Sequence, residues 1–132
     1  MRVVVIGATG TIGKAVADAA AAKHDVVRAS RNGDVQVDIG SAESIKAMYR
    51  SLGKVDAVVS CAGAGAMKPL GDLSDDDIRF TLDNKLMGQV NLVRFGVDHV
   101  NDGGVFLLTA GIFSTHPMPG VPALAMVNGG LE

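Results

Sequence analysis

Cysteine is almost missing from the chain. Cys61 is the only one, which excludes an internal disulfide framework and a multi-cysteine metal site. Tryptophan is absent, and four Phe and one Tyr are the whole aromatic complement. A core must therefore come from Val, Ile, Leu, Ala and Met. No apolar run approaches the ~20 residues that a membrane-spanning helix needs. The run Val3-Val4-Val5-Ile6 is too short for a signal-peptide core and stops at a glycine-rich turn. Charge of one sign is lacking too. Twelve basic and 14 acidic residues give a net charge of −2, without the basic excess of a nucleic-acid binder. The expectation is a soluble cytoplasmic protein with neither a nucleic-acid nor a membrane partner.

Glycine is what the chain has in excess: 17 of its 132 residues, close to twice the usual ~7%. Hydrophobic residues make up 48% and charged ones 20%, which suits one packed domain over residues 1–132. Short β-branched runs alternate with helical stretches. Strands are predicted at Arg2–Ile6, Asp25–Ala29, Val35–Ile39, Val55–Ser60 and Val105–Thr109. Helices are predicted over Thr11–Lys23, from an N-capping Ser41 to Gly53, and from Ser74 to about Val100. Asn101-Asp102-Gly103-Gly104 closes the long helix. Gly111–Val121 reads as a loop, and Pro122–Leu131 begins another helix. Alternation of this kind implies an α/β fold: a doubly wound, Rossmann-like parallel sheet of about five strands with helices on both faces.

The strongest motif is Gly7-Ala8-Thr9-Gly10-Thr11-Ile12-Gly13, between a predicted strand and a predicted helix. Gly7 permits the tight turn, Gly10 lets the backbone approach a pyrophosphate, and Gly13 lets the helix pack close to the sheet. Free N–H groups at the helix start, with its dipole, then stabilise the anion. A mononucleotide P-loop fails here, because Ala8 and Ala15 stand where it needs Gly and Ser or Thr. The competing reading is a turn that uses glycine for geometry alone. A cofactor without a 2′-phosphate usually meets an acid at the end of the second strand. That end reads Ser30-Arg31-Asn32. Arg31, with Ser30 and Asn32, suits a 2′-phosphate and favours NADP, with NAD the alternative. Arg31 can equally be a solvated loop residue.

These segments together resemble the short-chain dehydrogenase/reductase family over essentially the whole chain. The carriers are Gly7–Gly13, Val37-Asp38-Ile39, Ser60-Cys61-Ala62-Gly63, Lys85-Leu86-Met87-Gly88 and the strand Gly104–Thr109. The resemblance implies hydride transfer between a nicotinamide and a small carbonyl or alcohol. It implies that Asp38 meets the adenine edge, beside Ile39, and that Cys61, Ala62 and Gly63 lie along the adenosine ribose. Read alone, Asp38 can also cap the following turn, Ala62-Gly63 is a tight turn, and Cys61 is a small buried residue.

The family's proton relay of Ser, Tyr, Lys and Asn is not matched. Lys85 falls at the helix Asn position, with Asn84 next to it. Thr109-Ala110-Gly111 falls at the Ser, Leu124 at the Tyr and Asn128 at the Lys. The one tyrosine, Tyr49, is in a different helix. A general acid must still reach the substrate oxygen. The polar candidates are Lys85, Thr109 and His116, with Ser114 and Thr115 nearby. Histidine titrates near neutrality, and burial lowers a lysine pKa. Each has a plainer role: a surface histidine, a solvated lysine, a strand terminator.

The family usually adds two strands and their helices after the fifth strand. A sheet ending there exposes an edge and an apolar face. This predicts a shortened or minimal module that self-associates. The resemblance points to a homodimer or homotetramer through the long helix. Two functions are thus expected in competition: an NADP-dependent short-chain oxidoreductase with a non-standard relay, and a non-catalytic dinucleotide-binding module, either redox-sensing or an inactive fragment. A nucleotide-sugar epimerase would need the same missing Tyr–Lys pair.

Overall fold

β1 (Arg2–Ile6) is buried from Val3 to Ile6, because both faces of this strand are covered. A computed structural model describes all 132 residues. In it β1 is the middle of a five-stranded parallel sheet with order β3-β2-β1-β4-β5. β2 is Asp25–Ser30, β3 Val35–Gln36, β4 Val55–Ser60 and β5 Val100–Leu107. The chain winds outward from β1 through β2 to β3, then returns to lay β4 on the other side of β1. That reversal opens a crevice at the C-terminal ends of β1 and β4.

Side-chain alternation splits the core in two. Val3 and Val5 join Ala8, Ala17 and Ala57 under α1 (Thr11–Ala21). Val4 and Ile6 face the opposite way, into a larger cluster with Ile45, Met48, Tyr49, Leu52 and Leu92. The alanines let α1 sit close to the sheet, and Gly13 brings it closer still. A Cβ at Gly13 would run into the Gly7 carbonyl. α2 (Ala42–Leu52) starts at Ser41, whose side chain accepts from the Ser44 amide as the sequence predicts.

Two ends shift slightly, α1 stopping at Ala21 and β2 reaching Ser30, and three elements differ more from the sequence expectation. β3 stops at Gln36 instead of Ile39. The Val37 amide still donates to Ser30 O of β2, but the Asp38 amide turns away to Ser44 Oγ. β5 begins at Val100 and ends at Leu107, instead of running over Val105–Thr109. Val55 pairs with Val100 but Ala57 pairs with Val105, so Asn101–Gly104 form an excursion in the strand. Gly103 has φ +78° there, and Asn101 Nδ2 donates to Asp56 Oδ1. The turn signal was real, but it bends a strand instead of closing a helix.

The long helix is segmented. α3 (Asp75–Thr81) passes through a π-helical stretch, Leu82–Met87, into α4 (Gly88–Gly96), and a 3₁₀ turn follows at Val97–His99. α5 is Pro122–Leu131, with Pro122 in its first turn. No helix is long and apolar enough to cross a membrane.

Candidate functional site

The crevice is a cleft of about 260 Å³. Its floor is the turn after β1: Gly7, Thr9 and Gly10. Gly7 has φ +81°, and a Cβ there would lie 3.0 Å from the Ala62 amide nitrogen. The turns after β1 and β4 therefore touch, and only glycine permits both the dihedral and the approach. At Gly10 a Cβ would meet only Gly7 O, at 3.4 Å, so that position opens toward the cleft.

The start of α1 has no protein partner. Gly10 supplies no side-chain cap, and the first turn carries no acid. The amides of Thr11, Ile12 and Gly13 donate to no backbone or side-chain acceptor. Unpaired helix donors beside a cleft, with the helix dipole behind them, form an anion-binding end.

Ser30 and Arg31 form the wall at the end of β2. Ser30 Oγ is buried and has no hydrogen-bond partner. Arg31 is exposed and makes no ion pair, whereas Arg28 is held by Asp18 at 2.7 Å. A second cavity of about 280 Å³ adjoins the first, lined by Arg31, Gln36, Val37, Asp38 and Ser44. Asp38 and Ile39 face the main cleft, and Asp38 Oδ1 also accepts from the Gly40 amide. Cys61, Ala62, Gly63 and Ala64 make the wall opposite, and burial raises the Cys61 thiol pKa. An orphaned buried hydroxyl, a free guanidinium and three free amides fit the donor set that a dinucleotide's phosphates require.

Ten of the 14 sequence-predicted cofactor residues line the cleft: Gly7, Thr9, Gly10, Ser30, Arg31, Asp38, Ile39, Cys61, Ala62 and Gly63. Thr11 and Ile12 are not among its lining residues, and Ile12 is 67% exposed. Gly13 serves the packing of α1 on the Gly7 turn. Asn32 is exposed and outside both cavities. Sequence reading missed Phe80 and the contribution of Asn84, which close the cleft from α3 and the π-helical stretch. Asn84 is visible in the sequence only as the neighbour of Lys85.

The three catalytic candidates separate. Lys85 packs on Gly63: a Cβ at Gly63 would lie 3.5 Å from Lys85 Nζ. The ammonium has no carboxylate partner, and burial lowers its pKa below the usual lysine value. Thr109 is held through its backbone by Gln89, at 2.9 Å in each direction. His116 is exposed, lies outside the cleft and sits 3.0 Å from Thr115 Oγ1. Tyr49 is fully buried, donates to Leu92 O at 2.7 Å and stacks on His99. Burial raises its pKa far above the usual phenol value, so it supplies no acid to the cleft. Leu124 packs against Gly65, and Asn128 is buried against Gly111.

Comparison with known proteins fits this geometry. The family described as Enoyl-(Acyl carrier protein) reductase matches residues 1–132. The solved protein lin1944 from Listeria innocua is 43% identical, with a TM-score of 0.97 over 99% of this chain and 66% of its own. A small-chain dehydrogenase solved in complex with NADPH is 25% identical, with a TM-score of 0.91 over 99% of this chain and 60% of its own. A hydroxynaphthalene reductase of Aspergillus fumigatus is 27% identical over 90 residues, covering 65% of this chain and 33% of that enzyme. The chain thus spans about a third of the curated reductase and 66% of the Listeria protein. The parallel sheet, the glycine turn and these matches agree: the chain belongs to the short-chain dehydrogenase/reductase family.

Proposed function

We propose that this chain binds NADP(H) in the cleft and takes part in hydride exchange with a small carbonyl or alcohol. The single observation that carries the reading is the unpartnered start of α1, opened by Gly10 at the cleft floor. Its three free amides would hold the pyrophosphate, and Arg31 with Ser30 would hold a 2′-phosphate. NADPH on that solved relative supports the cofactor class. When bound, the nicotinamide supplies a hydride to the carbonyl carbon.

The chain must then deliver one proton to the carbonyl oxygen. Lys85 is the group suited to it, because its side chain packs on Gly63 of the cleft wall and burial lowers its pKa. Hydride and proton together convert carbonyl to alcohol, and water reprotonates the lysine. The acid form is lost as pH rises, so reduction slows as pH climbs through the Lys85 pKa. The stability sign is opposite. Burial disfavours the folded ammonium, so this group's contribution to stability rises with pH as the folded lysine loses its proton.

The test is NADPH oxidation with a panel of small carbonyls. Lys85→Met should slow it by about 10²–10⁴ with NADPH affinity unchanged. An unchanged rate removes the lysine from the chemistry. A second reading, a non-catalytic dinucleotide-binding module, is favoured by α5. Leu124 and Asn128 are packed into the fold and offer no acid. NADPH binding without carbonyl-dependent oxidation selects it.

Self-association belongs to the same proposal. Met87 and Val97 stand exposed on the long helix, as do Val105 and Leu107 on edge strand β5. Sedimentation of the purified chain distinguishes a dimer or tetramer from a monomer.

A further inference from the structure

We infer that Gln89 is a positioning residue, which fixes the end of β5 against the segment that carries Lys85. The inference rests on the proposed oxidoreductase reading and adds a residue to it.

The β4–β5 ladder ends at the pair Val59–Leu107. Beyond it the chain has no strand neighbour, yet Thr109 must stay at the top of the sheet if it is to face a substrate. Gln89 takes the place of the missing strand. Its Oε1 accepts from the Thr109 amide and its Nε2 donates to the Thr109 carbonyl, both at 2.9 Å. A primary amide carries one donor and one acceptor in peptide-like geometry, so it can copy one rung of a β-ladder. Nε2 also lies 3.4 Å from the Lys85 carbonyl. One side chain therefore links the Thr109 backbone to the Lys85 backbone carbonyl.

Gln89 is 0% exposed and both ends of its amide are used. An apolar residue would fill the same space but leave the Thr109 N–H and C=O unpaired. The backbone beneath is fixed as well. Gly88 presses on Ile39, where a Cβ would lie 2.9 Å from the Ile39 carbonyl. The backbone next to Gln89 is thus in close contact with a second segment of the fold.

Gln89→Glu tests this by pH. The neutral carboxylic acid is isosteric with the amide: its O–H donates to the Thr109 carbonyl and its C=O accepts from the amide. The carboxylate instead opposes the Thr109 carbonyl with negative charge. Burial raises the carboxyl pKa, so the neutral form prevails at about pH 6 and fails by about pH 9. Turnover of carbonyl with NADPH should match wild type within about twofold at the lower pH. At the higher pH kcat should fall at least about tenfold below wild type measured alongside. NADPH Kd should stay level throughout. Gln89→Met should lose kcat at both pH values, and the Glu variant carries the test alone if the Met variant does not fold. A Glu variant that tracks wild type across the range overturns the inference. So does a loss of kcat, NADPH affinity and thermal stability in parallel, which marks a merely structural residue. Wild type that neither binds nor oxidises NADPH overturns the proposed function itself, and Gln89 with it. That failure appears in the wild type, whereas failure of the positioning role appears only in the variants.

Discussion

Two helices of this molecule begin in opposite ways. α3 has every device that stabilises a helix start. Ser74 accepts from the Asp77 amide, Asp77 accepts in return from the Ser74 amide, and Asp75, Asp76 and Asp77 fill the first turn. α1 has none of them: a glycine at the cap, no acid, and free amides at Thr11, Ile12 and Gly13. The sequence could have supplied a capping side chain and an acid at either place. A helix that leaves its donors unpaired beside a cleft loses local stability and gains an anion site. On the proposed reading, the difference separates a helix end that serves the fold from one that serves a ligand.

The largest expected effect comes from blocking the open end. Gly10→Val keeps an ordinary backbone, since Gly10 has φ −78° and a Cβ there meets nothing closer than 3.4 Å. The added side chain should nevertheless bar the pyrophosphate. NADPH affinity should fall on the order of 100-fold or more, as several charge-assisted hydrogen bonds are lost together. Thermal unfolding should stay near wild type. If melting collapses as well, Gly10 belongs to the fold and the contrast with α3 disappears.

Removing the cap of the other helix should do the converse. Ser74→Ala should cost about 1 kcal/mol of stability and leave NADPH affinity alone, as denaturant unfolding and binding titration will show. Acid provides a related probe. Lys68 and both Ser74 donors hold the Asp77 carboxyl down at about 2, below its ordinary 3.8. Its contribution is complete above pH 4 or so and is lost as pH falls through about 2. Ser74→Ala should therefore narrow the difference between the two proteins in acid.

The smallest effect sharpens the comparison most. Thr11→Asp puts an acid of the α3 type into the first turn of α1. The helix dipole should make the variant more stable by about 0.5 kcal/mol, while the carboxylate repels the cofactor's phosphates. Tighter folding with weaker NADPH binding is the expected pair of results. Unchanged binding would mean that the anion does not sit there.

The sequence made the near half of the site readable because glycine has few reasons to recur at spacing three between a strand and a helix. Arg31 was readable from its place at the end of β2, and the turn after β4 from its run of small residues. The far half was hidden. A π-helical stretch at Leu82–Met87 leaves no mark in apolar periodicity, so the inward side of that helix could not be assigned residue by residue. Phe80 enters the cleft from α3, ahead of that stretch, and no local motif marks it. Asn101–Gly104 look like a helix stop because turn residues signal a bend, whichever element bends. Gln89 was invisible because its partner, the Thr109 backbone, lies 20 residues away. Long-range polar pairs have no local signature.

Calorimetric titration of the purified wild-type chain with NADPH and, separately, NADH bears most directly on the role of the α1 start. Saturable one-to-one binding of NADPH, at least about tenfold tighter than NADH, is the predicted result, since one phosphate–guanidinium pair separates the two ligands. Absence of binding to either dinucleotide would contradict the anion site at α1. Equal binding would leave that site standing and remove Arg31 from it.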